Sequence, residues 1–427
     1  MKQLRRLTLA TIAAVLGALS LSAQSPVTTA YTGARLIDGT ASAPIDDATL
    51  LVRDGRVIAA GPSAGMTIPA SVQRVDLTGK TIIPGLINAH GHVGDTDGLT
   101  AGKYSAANVT RDLKLYAAYG ITTVFSLGGD QPPAFSARDS QYKASLDRAR
   151  IYVAGPVLAP KTAEEARTQV DQVAQSKADI IKIRVDDNLG SGTKMAPDVY
   201  RAVIEQAHKD GVRAAVHLYY LSDAKAVLDI GADIIAHSVR DTDVDDQVIA
   251  ALKQRDVCYI PTLMREVSTY VYESTPAFFS DPFFLKHADP QVLETLKTPA
   301  RQDAMAKSAT AQKYKAQLAV ASRNLKKLSD AGVLIAMGTD TGPPARFQGY
   351  FEQVELEMMV KAGMTPRQVL TAATRDAARC MKIDGDVGTL QAGKWADFVV
   401  LDADPLVDIK NTRAISDVYI AGNKLVR

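Results

Sequence analysis

Apolar and polar positions along the 427-residue chain fall into three successive textures. Residues 30–80 carry short β signals broken by turns. Ala34-Arg35-Leu36-Ile37 runs into Asp38-Gly39, Thr49-Leu50-Leu51-Val52 is followed by Asp54-Gly55, and Arg56-Val57-Ile58-Ala59 comes next. Asp-Gly between apolar alternations favours a tight hairpin, because glycine takes the positive φ that such turns demand. The same texture returns at the far end, in Asp397-Phe398-Val399-Val400-Leu401, Val418-Tyr419-Ile420 and Lys424-Leu425-Val426. These flanks predict one small β-sandwich built from both termini, residues 24–83 together with 387–427.

The middle, residues 84–386, reads differently. Apolar runs begin near Thr81, Ile121, Arg150, Asp179, Val212, Asp233, Val257 and Val333, eight candidates for strands buried on both faces. Helical segments with defined ends lie between them. Thr162-Ala163-Glu164-Glu165 is a capping box, Pro197 opens a helix, Ser222 caps one that stops at Gly231, and Thr365-Pro366 opens the last. Strands alternating with helices predict an α/β fold, a (β/α)8 TIM-type barrel. Residues 262–330 form a long connection before the eighth strand and hold Tyr270, Tyr272, Phe278, Phe279, Phe283 and Phe284. Connections of this length serve as lids or binding loops, or pack as helices on the barrel or on a neighbouring subunit, which leaves a homo-oligomer open.

Candidate chemistry gathers at the predicted strand ends. The first run ends in His90-Gly91-His92; in an extended strand, residues two apart share a face, so both imidazoles can reach one metal ion. Lys182 interrupts the fourth run, and the fifth and sixth end at His217 and His237. The eighth ends in Gly338-Thr339-Asp340. Each residue alone has a bland reading, since a strand-end histidine is usually a hydrogen-bonded structural group and an aspartate there a helix cap. Their joint occurrence on successive strands of one barrel favours a metal site at its C-terminal face. His208 and His287 read as ordinary solvated residues.

Composition adds three constraints. Residues 1–23 have the form of a secretory signal, with Lys2, Arg5 and Arg6 before an apolar stretch and small residues near Ala23. The expectation is a secreted or periplasmic protein without a membrane attachment after cleavage. Removing those three cations takes the formal charge from +2 to −1, which gives no basic surplus for nucleic acid. Two cysteines, Cys258 and Cys380, make no disulfide framework and leave one bridge open.

Taken together, Pro84-Gly85-Leu86-Ile87-Asn88-Ala89-His90-Gly91-His92, Lys182, His217, His237 and Gly338-Thr339-Asp340-Thr341-Gly342 resemble the amidohydrolase superfamily. Gly388-Thr389-Leu390-Gln391-Ala392-Gly393-Lys394-Trp395-Ala396-Asp397 resembles that family's return into its small β-sandwich. The likeness is greatest to the branch of imidazolonepropionase-like proteins and metal-dependent Xaa-Pro or Xaa-Arg/Lys dipeptidases. Asn88 stands where the family commonly has aspartate, and Tyr219-Tyr220 where many members have small residues. The resemblance implies two divalent metal ions, one held by His90, His92 and Asp340, the other by His217 and His237. Lys182, carboxylated by CO2, would bridge them, since an ammonium cannot bind a cation and a carbamate can. Two such ions share an acidified hydroxide, and Asp340 would take its proton and pass it to the leaving amine. Zinc suits imidazole and carboxylate ligands; manganese, cobalt and iron are also accommodated. The implied substrate is a dipeptide or N-acyl amino acid, the alternative a cyclic amide, lactone or ester. An inactive scaffold is disfavoured because no ligand is missing. A free substrate carboxylate needs a donor near the metals, for which Tyr219, Tyr220 and Arg184 are the candidates.

Overall fold

A computed structural model describes residues 28–426, and the expected signal segment 1–23 lies outside the described residues. Both ends of the described chain meet in one eight-stranded sheet. Its order is Asn423–Lys424, Ile415–Ile420, Phe398–Leu401, Thr81–Pro84, Thr28–Leu36, Ile45–Arg53 and Arg56–Pro62. Hydrogen bonding runs through all eight strands of the expected β domain, and the sheet branches at Thr28–Leu36. Thr29 to Thr32 pair with Gln73–Asp76, whereas Arg35 and Leu36 pair with Thr81–Pro84, so the first strand changes partner along its length. The fork leaves room for an apolar cluster that includes Tyr31, Leu50, Val57, Phe398 and Tyr419.

Gly85 divides what the sequence presents as one apolar run. The chain leaves the eight-stranded sheet at Pro84 and enters a parallel one at Leu86. A β-carbon at Gly85 would lie 1.9 Å from Thr122 Oγ1, so the chain passes the neighbouring strand only without a side chain there.

Seven of the eight expected parallel strands are present. Leu86–Gly91, Ile121–Ser126 and Arg150–Val153 form one sheet, and Ile181–Arg184, Ala214–His217, Ile234–Ala236 and Cys258–Ile260 run through a second with the short Val157–Leu158 at its edge. The eighth is a departure. Residues 333–337 form no strand and touch Tyr259 through a single bridge at Ile335. Isolated backbone bonds take the place of a ladder: Tyr259 N–H donates to Leu334 O, Ala89 N–H to Met337 O, and Asp179 N–H to Val153 O on the opposite side.

The helices follow their sequence signals closely. Thr162 accepts from Glu165 N–H, and Thr365 with Gln368 completes a capping box. The helix expected to be capped by Ser222 is capped two residues earlier, at Tyr220; it starts at Leu221, whose N–H is held by Asp241, and ends as expected at Gly231 with φ 111°. The 262–330 connection folds into short helices followed by Ala309–Asp330. Its Phe278, Phe283 and Phe284 pack with Phe347, Tyr350 and Phe351, so the aromatics fasten this connection to the start of the helix Tyr350–Lys361.

Cys258 and Cys380 are joined in a disulfide that ties the last full parallel strand to the helix Arg375–Met381, across 122 residues of chain. A cross-link over so long a loop restricts the unfolded chain. Replacing both by serine should cost about 2–4 kcal/mol. Denaturant unfolding with and without reductant checks this: a double variant as stable as the oxidised parent would show the bridge contributes nothing.

Candidate metal centre

His90 and His92 leave the buried strand Leu86–Gly91 on the side where the parallel strands end. Asp340 meets them from the opposite edge. Its N–H and that of Thr339 both donate to His90 O, at 2.7 and 3.1 Å, and its own backbone sits at φ 60°, a strained conformation for an aspartate. Its carboxylate oxygen Oδ1 is thereby set 2.8 Å from His92 Nε2 and 3.5 Å from His90 Nε2. One ligand-type atom from each of the three lies within 4.8 Å of the others. His92 Nδ1 is 2.8 Å from Gly128 O, which only accepts, so the proton belongs on Nδ1. That leaves Nε2 facing a carboxylate oxygen, two lone-pair atoms that only a shared cation or proton reconciles.

The other expected ligands close around this trio. The His237 ring is 4.6 Å from that of His90 and 4.1 Å from that of His217, centroid to centroid. Thr262 Oγ1 holds His237 Nδ1 at 2.7 Å. Burial keeps His90 and His237 well below the usual imidazole pKa, and His217 at about 3, so all three are neutral and able to bind a cation. Lys182 is fully enclosed, and its Nζ has no hydrogen-bond partner. Burial pushes its amine down to about 7 against the attraction of Asp340. Burial alone would raise Asp340, but the Arg346 guanidinium overcomes it and holds the carboxyl well below its ordinary value.

Behind the ligands lies a buried polar brace. Asn88 Oδ1 accepts from His90 N–H at 2.9 Å, and Asn88 Nδ2 donates to Glu352 Oε1 at 2.7 Å. Thr339 and Thr341, on either side of Asp340, donate to the same Glu352 oxygen. Glu352 thus ties the strand carrying His90 to the segment carrying Asp340. It also explains the asparagine: an aspartate at 88 would put two carboxylates in contact with no water between them. Asn88→Asp should therefore cost about 3 kcal/mol or force one carboxyl to stay protonated. Adding Glu352→Gln should recover at least half of that loss, as read by denaturant unfolding of the four proteins in the cycle. An Asn88→Asp protein as stable as its parent would contradict this pairing.

None of the three expected substrate donors is hydrogen-bonded to a ligand, although the charge of Arg184 reaches Lys182 and His217. Tyr220 OH donates to Asp187, and Arg184 is engaged by Asp186 and Asn188. Tyr219 is 1% exposed, its hydroxyl without a partner and its ring under Arg240. Three charged neighbours of the expected ligands escape the sequence reading. Asp186 Oδ2 lies 3.1 Å from His217 Nε2, Arg346 donates to Asp340 Oδ2, and Arg265 Nε stands 3.8 Å from that same oxygen. Asp186 had a signal, since it continues the two-residue spacing of Lys182 and Arg184 just past the strand Ile181–Arg184; Arg265, on the short helix Leu263–Ser268, and Arg346, in a loop, belong to no such pattern.

Residues 81–425 match the amidohydrolase family model. The chain belongs to the amidohydrolase family. An ochratoxinase of Aspergillus niger is 25% identical to this amidohydrolase over 294 residues, 66% of this chain and 53% of the relative. The chain thus spans about half the length of that relative. An imidazolonepropionase of Deinococcus deserti is 24% identical over 402 residues, covering 89% of this chain and 92% of its own. Among solved structures, a Bifidobacterium longum protein proposed to be a prolidase is 27% identical, with a TM-score of 0.74 over 94% of this chain and 95% of that one.

Proposed function

We propose that this amidohydrolase is a binuclear metallohydrolase that acts outside the cytoplasm and cleaves the amide bond of a dipeptide or an N-acyl amino acid. The observation that carries the reading is Lys182, an amine buried among three neutral histidines and Asp340 with nothing to hydrogen-bond. A lysine in such a place is costly unless it reacts or binds, and a depressed pKa favours the free amine that captures CO2. In this reading the seven parallel strands and residues 333–337 make a (β/α)8 barrel over 84–386, and the branched sheet built from the two flanks is the second domain.

The donor set suits two divalent ions: His90, His92 and Asp340 would hold one, His217 and His237 the other, and the carbamate of Lys182 both. Zinc fits such ligands best. The ions would supply a water acidified towards neutrality as the nucleophile. Asp340, ionised in the resting site, accepts the proton of the attacking water and returns it to the departing amine nitrogen. Thr262 and Gly128 fix the ring orientations of His237 and His92, and Asp186 flanks His217. The names of the relatives support amide substrates, and the disulfide supports an oxidising compartment. No helix among the described residues is long and apolar enough to cross a membrane.

Metal analysis of the purified protein, with and without bicarbonate, and a library of Xaa-Xaa dipeptides and N-acyl amino acids test the proposal together. The expected result is about two transition metals per chain and turnover within that library. Hydrolysis of lactones or esters alone, with every peptide and N-acyl amino acid intact, sinks the substrate class. Less than one metal per chain after reconstitution sinks the mechanism.

A further inference from the structure

Two guanidinium groups converge on one oxygen at the edge of the metal centre. Arg346 Nη1 donates to Asp340 Oδ2, and Arg265 Nε stands 3.8 Å from that atom with no hydrogen-bond partner of its own. They come from different connections, Arg265 from the short helix Leu263–Ser268 and Arg346 from the loop that follows Asp340. The charge around them does not balance. Glu266 is shared between Arg265, at 3.2 Å, and Arg240, at 3.1 Å, so three guanidiniums face the two carboxylates Glu266 and Asp340. Arg240, Arg265 and Glu266 are all buried, where an uncompensated cation is expensive. The carboxylate on the Lys182 side, Asp186, is already paired with Arg184 and offers no relief.

Such a surplus, fixed in place, awaits an anion. The position of Asp340 Oδ2 shows that a carboxylate oxygen fits between the two donors. A planar fork is suited to a second carboxylate in the same way, by paired N–H···O bonds. Beyond Arg346 the protein opens into a cavity of about 340 Å3 whose wall combines Phe284, Phe347 and Tyr350 with Arg111, Asp112 and Asp289. Arg346 lines it, and so does Gln348, whose amide donates to His92 O at 2.7 Å. None of the ligand side chains lines this cavity; it borders the centre through Arg346, which holds Asp340.

We propose that Arg265 and Arg346 anchor the free carboxylate of the leaving amino acid, and that the aromatic cavity beside Arg346 receives its side chain. This inference rests on the amide-hydrolase reading and gives it a substrate class: acyl or peptidyl derivatives of amino acids with a free carboxylate and an aromatic or large apolar side chain. Tyr220 and Arg184, with their polar ends engaged elsewhere, are not needed for the anchor.

The test compares N-acetyl-L-phenylalanine, its C-terminal amide and N-acetyl-L-alanine as substrates of the metal-loaded protein, with calorimetric binding of the same compounds as a second readout. The parent should prefer the acid to the amide by roughly 30-fold in kcat/KM, the scale of a charge-assisted hydrogen-bond pair. In Arg346→Gln and Arg265→Gln that ratio should fall below about threefold, with Arg346→Lys in between because it keeps the charge and loses the fork. Arg346 is partly exposed, so its variants stay informative if Arg265→Gln fails to fold. A parent with no preference for the acid, or variants that weaken acid and amide equally, overturns the anchor. N-acetyl-L-alanine bound as tightly as N-acetyl-L-phenylalanine overturns the cavity assignment. If no compound is cleaved but N-acetyl-L-phenylalanine binds the parent and not Arg346→Gln, the hydrolase reading fails and the anchor stands; if it binds neither, the anchor fails as well.

Discussion

Asp340→Asn is expected to lower kcat by about a thousandfold or more while the protein stays folded. The carboxylate stands where two tasks coincide. Its Oδ1 faces the His90 and His92 nitrogens, and its Oδ2 takes the Arg346 guanidinium. An amide keeps the shape and can still turn an oxygen towards a metal, but it cannot accept a proton from the attacking water. It also removes the negative charge that Arg346 and Arg265 face, which makes the surrounding cations still less balanced. The fold should survive because what holds the segment is backbone and brace. Asp340 N–H to His90 O, and Thr339 and Thr341 to Glu352, do not involve the Asp340 side chain. Steady-state kinetics on the best library substrate, with metal content and near-UV circular dichroism measured on the same sample, decide the matter. Near-parental turnover with the metals in place would show that another group carries the proton.

The fate of each sequence expectation follows from the range of the interaction behind it. Strand and helix periods are local, and they place seven parallel strands and most helix caps where the pattern has them. The histidines were legible because strand alternation and strand ends are local as well. The 333–337 segment carries the same apolar signature as the others, yet backbone bonds to Tyr259 and Ala89 replace its ladder, and pairing is a property of neighbours that a single segment cannot encode. The break at Gly85 depends on how closely Thr122 approaches, again a matter of the partner. Arg265 and Arg346 are 81 residues apart and meet only through Asp340, so no spacing could have linked them. The Asn88–Glu352 pair lies between these cases. The asparagine was visible as a departure from the family pattern, but the carboxylate that makes sense of it sits 264 residues away.

Lys182→Ala should abolish measurable turnover and reduce bound metal from about two ions per chain towards one. The reasoning starts from the enclosure of the amine. Its Nζ has no partner, and the groups that influence it are Asp340, Arg184 and Asp186. Left as an ammonium, it would repel the cations that the neighbouring histidines are proposed to hold. Converted to a carbamate it brings a bidentate anion to them, and the buried charge is then compensated by metal. Truncation to alanine removes the bridge but leaves the histidines, so one ion held by His90, His92 and Asp340 should persist. The space vacated by the side chain opens next to the same ligands, so acetate or propionate should restore part of the lost activity and the second ion. Native mass spectrometry of the parent should show an adduct of the mass of CO2 that disappears in the variant and on acidification. Lys182→Arg is the control for charge: it keeps a cation that cannot form the carbamate, and carboxylic acids should not rescue it because the cavity stays filled. A Lys182→Ala protein that retains both metals and its turnover would remove the carbamate from the site and leave the histidines and Asp340 to hold the centre alone.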